Sequence, residues 1–115
     1  MANYKKLIIW QKADKLAHLV YKLTEFFPKH EIFGLTSQLR RAAISVPLNI
    51  VEGYNRTSKK ELRRFIDISL GSLAEVEFLL EFSKDLDYHK IQTEELNLTL
   101  VETGKTLWSF RANIF

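Results

Sequence analysis

Apolar positions recur every three or four residues along the chain and nowhere alternate with period two over a useful length, so the pattern predicts helices and no strand. Before Pro28, the residues Trp10, Ala13, Ala17, Val20, Thr24 and Phe27 share one helical face. Leu16, Leu19, Leu23 and Phe26 widen that stripe, as for a helix that touches more than one neighbour. Pro28 stops it, because the residue before a proline is pushed out of the α region. A second helix begins around Gly34 or Leu35, with Leu35, Leu39, Ala42, Val46 and Ile50 on one face and Gly53 as a natural C-cap. Ser58, three residues before Glu61, opens a third helix with a capping box. Its seam of Leu62, Ile66, Ser69, Leu73, Val76 and Leu80 should run to about Leu86. Thr93, followed by Glu94 and Glu95, caps a fourth helix, whose face carries Leu96, Leu100, Leu107 and Ile114. Gly104 inside that helix suggests a close backbone approach. Four helices on short connections predict an all-α fold, an antiparallel up-and-down four-helix bundle.

Pro47 interrupts the second helix without interrupting its apolar pattern. It removes a backbone N–H and crowds the carbonyl of Ala43, at a cost of about 3 kcal/mol in a helix interior. The expectation is a second helix kinked at Pro47, with Ala42, Ala43 and Ser45 small enough to let another helix approach. The bend either wraps the helix round its own core or shapes a surface for another subunit or ligand.

A chain of 115 residues, read as a single domain over residues 1–115, can bury one core and not two. It has no cysteine, which removes disulfides, thiolate metal sites and cysteine nucleophiles. The first apolar run is three residues long, neither a secretory segment nor a membrane span, so a cytoplasmic protein with no membrane partner is expected. His18, His30 and His89 are scattered and form no metal-binding pair, and no phosphate loop or nucleophile motif is present. A non-enzymatic protein without cofactor or metal is the reading. Glu52 and Glu75 are the acids whose positions hint at burial, with Arg40 or Arg41 as structural partners.

Charge changes the picture further. The net +3 divides into +3 over residues 1–37, +5 over residues 38–64 and −5 from residue 65 onward. Lys59, Lys60, Arg63 and Arg64 occupy the first two turns of the third helix, where the dipole favours anions. Glu77, Glu81, Asp85 and Asp87 crowd its other end. A pattern that opposes the helix's own preference points to a use outside that helix. Three uses compete: a solvated face compensated by antiparallel neighbours, self-assembly of basic on acidic surface, and phosphate binding with counterion release. For the last, Arg40, Arg41, Arg56, Lys59, Lys60, Arg63 and Arg64 are the candidate nucleic-acid contacts, with RNA or DNA as the partner. Tyr54 could stack on a base or close the end of the core. Trp10 and Trp108 lie on apolar faces and read as core or interface residues. The alternative function is an assembly or adaptor protein whose charges serve only subunit and protein-partner contacts.

From Gly34 to Leu80 the sequence closely resembles the bacterial family of 23S ribosomal RNA intervening-sequence proteins, also known as four helix bundle proteins. Gln38, Arg40, Arg41, Ala42, Ser45, Pro47, Asn49, Glu52, Gly53, Arg56, Ser58, Glu61, Gly71, Ser72 and Glu75 fill the family's pattern. Val51 stands where alanine is commoner. The resemblance implies four-helix protomers assembled into pentameric rings. It also implies kinship with the accessory variability protein of diversity-generating retroelements, which engages nucleic acid through a basic surface.

Overall fold

A computed structural model describes residues 3–89 and 94–114. A short 3₁₀ turn at Asn3–Lys6 leads into α1 (Ile8–Thr24), α2 (Leu35–Tyr54), α3 (Lys59–Asp85) and α4 (Glu94–Ala112). Each helix packs on the next and α4 packs back on α1, which closes the bundle. Cross-helix contacts fix every direction as antiparallel. Arg40 of α2 meets Thr24 of α1, Ser69 of α3 meets Val46 of α2, Arg111 of α4 meets Asp67 of α3, and Lys12 of α1 meets Glu102 of α4. The all-α up-and-down bundle expected from the apolar period is the fold observed.

The core is the predicted one with few changes. Ala13, Leu16, Val20, Leu39, Val46, Ile66, Val76 and Leu107 are completely buried, and each comes from a predicted apolar stripe; Ala43, expected only as a small residue beside Pro47, is completely buried too. Ser69, Thr99 and Thr103 are buried with them; Ser69 donates to Val46 O at 2.8 Å and Thr103 to Thr99 O at 2.6 Å, so neither hydroxyl is left unsatisfied. Phe26 departs from its stripe and is 80% exposed, because α1 ends at Thr24 and the following turn swings it outward. Trp108 is 60% exposed on the outer side of α4, whereas Trp10 packs at the core's edge against Tyr4.

Helix ends follow local chemistry. Ser58 Oγ accepts from Glu61 N at 3.0 Å, the expected cap of α3, while the Glu61 carboxylate pairs with Arg64 instead of completing the box. Gly53 is not a C-cap: α2 continues to Tyr54, and Gly53 is buried where the helices cross. A Cβ there would lie 3.0 Å from Phe65 Cβ and 3.1 Å from Leu62 Cδ1. Gly104 differs from its expectation, since a Cβ would make one ordinary contact at 3.5 Å with Leu73. The proposed Thr93 cap lies outside the described residues. The start of α2 is capped by Glu31, whose Oε1 accepts from Leu35 N at 3.0 Å and whose Oε2 accepts from Tyr88 OH at 2.6 Å. One carboxylate thus fastens the α3–α4 connection to the α1–α2 connection.

Pro47 sits inside an uninterrupted α2 and is buried. The helix around it is sewn to α3 by hydroxyls. Ser45 Oγ and Ser72 Oγ share a hydrogen bond at 2.7 Å, and Asn49 Nδ2 donates to Ser45 O at 2.8 Å and Ser45 Oγ at 2.9 Å. With the Ser69 bond to Val46 O, these ties surround the turn that the proline deprives of a donor.

Candidate nucleic-acid interface

The connection between α2 and α3 spans only Asn55 to Ser58, so cations at the end of one helix and the start of the next must share a tip. Arg56, Lys59, Lys60, Arg63 and Arg64 gather there, and all are exposed. Two of the seven sequence candidates do not join them. Arg40 and Arg41 lie 15 or more residues earlier on α2, which at 1.5 Å per residue is over about 20 Å along the axis.

The tip residues are not equally free. Arg56 donates to Glu52 Oε2 at 3.2 Å, and its guanidinium lies 4.9 Å from the centroid of the Phe65 ring. Arg64 lies 4.7 Å from the same centroid and pairs with Glu61 at 3.5 Å. Phe65 therefore holds two planar guanidiniums in place through cation–π contact, while both stay in water. Arg63 Nη2 donates to Ile114 O at 2.6 Å. That places a cation against the carboxyl end of α4, where its dipole welcomes one, and so compensates the misplaced charge on α3. Lys59 and Lys60 have no ion pair or side-chain hydrogen bond among the described residues.

Arg40 has a different job. Its Nε donates to Thr24 Oγ1 at 2.7 Å, its Nη2 to Tyr21 O at 3.3 Å, and its guanidinium stacks 4.7 Å from the Tyr21 ring centroid. It ties α2 to the end of α1. Arg41 is exposed and lines an open groove of about 510 Å³ between α2 and α3, with Gln38, Ser45, Ser72 and Glu75 on its walls and Phe33 at its mouth. Glu52 and Glu75 are both exposed, and neither contacts Arg40 or Arg41 within ion-pair distance. Their reading as buried partners is therefore corrected: each sits on the outer side of its helix. Tyr54, the last residue of α2, is 40% exposed.

Further cations reach this end of the bundle that sequence reading passed over. The up-and-down order brings the 3₁₀ turn with Lys5 and Lys6 beside the end of α2, and brings Arg111 of α4 beside Asp67 of α3. The Asp67 carboxylate, by hydrogen bond and charge, holds the Arg111 guanidinium above its ordinary value. The signal was present in the topology rather than in any local run. Glu25, Glu31, Glu81, Asp85, Glu94 and Glu95 fall at the opposite end. Among the described residues, no group of three or more histidines and carboxylates converges as a metal site requires, and no helix is long and apolar enough to cross a membrane.

The model of one protein family, described as 23S rRNA-intervening sequence protein, matches residues 5–109. No curated protein matches the chain. Among solved structures, a protein of unknown function of the S23 ribosomal protein family from Bacteroides thetaiotaomicron VPI-5482 superposes with a TM-score of 0.81. The alignment covers 92% of this chain and 96% of that one at 22% identity.

Proposed function

The chain belongs to the 23S rRNA-intervening sequence protein family, and from that premise and the placement of its cations we propose that it is a non-enzymatic, oligomeric protein that offers a basic tip to RNA or DNA phosphates. The observation that carries this is the gathering of Arg56, Lys59, Lys60, Arg63 and Arg64 at one end of the bundle, with Lys59 and Lys60 unpaired among the described residues. Phosphate oxygens accept from Arg64 and Arg56, which Phe65 pre-orients, and the two lysines add charge without fixed geometry. The chain presents no base-reading motif, so binding is through the backbone of the nucleic acid. The resemblance noted from the sequence adds a ring of five protomers and kinship with the retroelement accessory protein, and the short first apolar run adds a cytoplasmic setting. In such a ring the tip charges repeat and their field is multiplied.

The second reading, an assembly or adaptor protein, draws on the internal engagement of Arg56, Arg63 and Arg64, which leaves fewer free cations than the sequence count suggests. Retention of a mixed RNA and DNA pool at about 50 and about 200 mM salt separates the two. Phosphate binding by three or four tip cations loses about 20- to 150-fold over that interval, following the counterion-release slope. Reversing Lys59, Lys60 and Arg64 to glutamate should abolish retention while the fold persists. Arg63 is left intact in that variant because it holds the end of α4. Arg40→Met should lower thermal stability and leave retention unchanged. Retention indifferent to salt and to the triple reversal sinks the phosphate assignment and leaves the adaptor reading.

A further inference from the structure

α3 carries two apolar seams, and the bundle uses one. The inner seam of Ile66, Ser69, Leu73, Val76 and Leu80 is buried. On the opposite side, Ile68, Gly71, Glu75, Phe78 and Phe82 recur at intervals of three and four, and all are exposed. That is the heptad spacing that lets one helix receive another. Phe78 is 63% exposed, and its ring lies 5.9 Å from that of Phe82. Beside this row runs a matching one on α2, Arg41, Ile44 and Leu48, also exposed. The Ser45–Ser72 bond holds the two helices together between these rows.

Gly71 is the informative residue. It stands in the interior of a 27-residue helix, where glycine costs stability relative to alanine. No packing inside the protomer requires it: a Cβ built there meets nothing within 4 Å. Its lack of a side chain serves only a body approaching from outside. The charges on this face are mixed, Arg41 on α2 and Glu75 on α3, and neither has an ion-pair partner among the described residues. A polyanion would be attracted by one and repelled by the other. A surface that itself carries apolar residues and charges of both signs answers both.

We propose that the outer α2/α3 face, centred on Gly71, is where a second copy of this chain packs, helix against helix. The opposing helix approaches closest at Gly71. Ile44, Leu48, Ile68, Phe78 and Phe82 are buried round that crossing, and Arg41 and Glu75 are each neutralised by an opposite charge of the second copy. From Ile68 to Phe82 the row is about 21 Å long, enough for a three- to four-turn helix contact. This deepens the self-assembly half of the function proposed above by naming its surface, and it takes Arg41 out of the set of phosphate contacts.

Sedimentation of the purified chain over a concentration series tests it, with Gly71→Leu and Phe78→Ser as variants. Gly71→Leu has room inside the protomer and improves helix propensity, so the isolated protomer should melt no lower than wild type. Both variants should weaken self-association by at least about tenfold, the scale of losing a central interface contact. Weakened assembly beside an unweakened protomer is a combination that mere misfolding does not produce. Wild-type assembly in both variants overturns the inference and leaves self-assembly to another face. A wild-type chain that stays monomeric overturns both, while nucleic-acid retention by the tip is read separately. Intact assembly with lost retention in Gly71→Leu assigns the face to nucleic acid, and likewise overturns the inference.

Discussion

His89 is buried with its ring stacked on Phe27, 5.9 Å between centroids and nearly parallel. Nε2 stands 3.2 Å from Leu80 O, which can only accept, so Nε2 carries the proton; Ser83 Oγ lies 3.0 Å away. Nδ1 is buried without a partner among the described residues. Charging the ring would place a second N–H where nothing accepts it. Burial lowers the imidazole's pKa; the Leu80 carbonyl opposes that and nearby Lys84 reinforces it. Tyr88 and Glu31, close by, are occupied with each other. Their hydrogen bond lowers the carboxyl and raises the phenol, and Leu35 N lowers the carboxyl further. A histidine with a depressed native pKa lets the unfolded chain bind more protons, so stability should fall as pH drops below 6.5, the ordinary value. Thermal midpoints measured from pH 7.5 to pH 5.5 (about one unit either side of the ordinary value) should show that fall in wild type and a shallower one in His89→Phe. Equal slopes would mean that another group titrates. Asp87, two residues earlier, has φ 61°, and the bonds Tyr88 N to Ser83 O and Asp87 N to Lys84 O form a Schellman motif round it. Asp87→Gly should stabilise the protein by about 0.5–1 kcal/mol, by relieving the left-handed strain there; denaturant midpoints check it.

At the scale of the helices, the close backbone approach expected at Gly104 is found at Gly53 instead. Gly53→Ala should destabilise by about 1–3 kcal/mol, because its methyl would meet Phe65 and Leu62 at 3.0 and 3.1 Å and push α2 from α3. Gly104→Ala should stabilise by up to about 1 kcal/mol, since its methyl meets only Leu73 at ordinary distance and the helix gains propensity. Chemical denaturation of the pair separates close approach from mere tolerance. The helices themselves were legible because burial writes a three-four period into each of them. Which side of α3 faces the core was legible too, since Ile66, Leu73, Val76 and Leu80 outnumber any polar neighbour on that seam. Less legible was what lies across from a given side chain. Arg40 and Arg41 are adjacent and chemically alike, yet one reaches Thr24 and the other faces a groove, because successive helical positions point about 100° apart. Glu52 and Glu75 misled for the same reason. The tip cations were legible as a local run, whereas Lys5, Lys6 and Arg111 join them only through the order of the helices.

For the molecule as a whole, the extents of 43 × 26 × 23 Å describe a rod with cations in excess at one end and carboxylates in excess at the other. At physiological ionic strength the Debye length is about 8 Å, so the two ends are electrically invisible to each other. A phosphate chain near Lys60 then feels the tip alone. At about 0.01 M salt the screening length grows to about 30 Å, most of the rod's length, and the protein behaves as one large dipole. It would then turn its lysine end toward any polyanion before contact. Lowering the salt therefore does more than strengthen attraction: it gives the encounter a preferred orientation, and the rod becomes a compass needle.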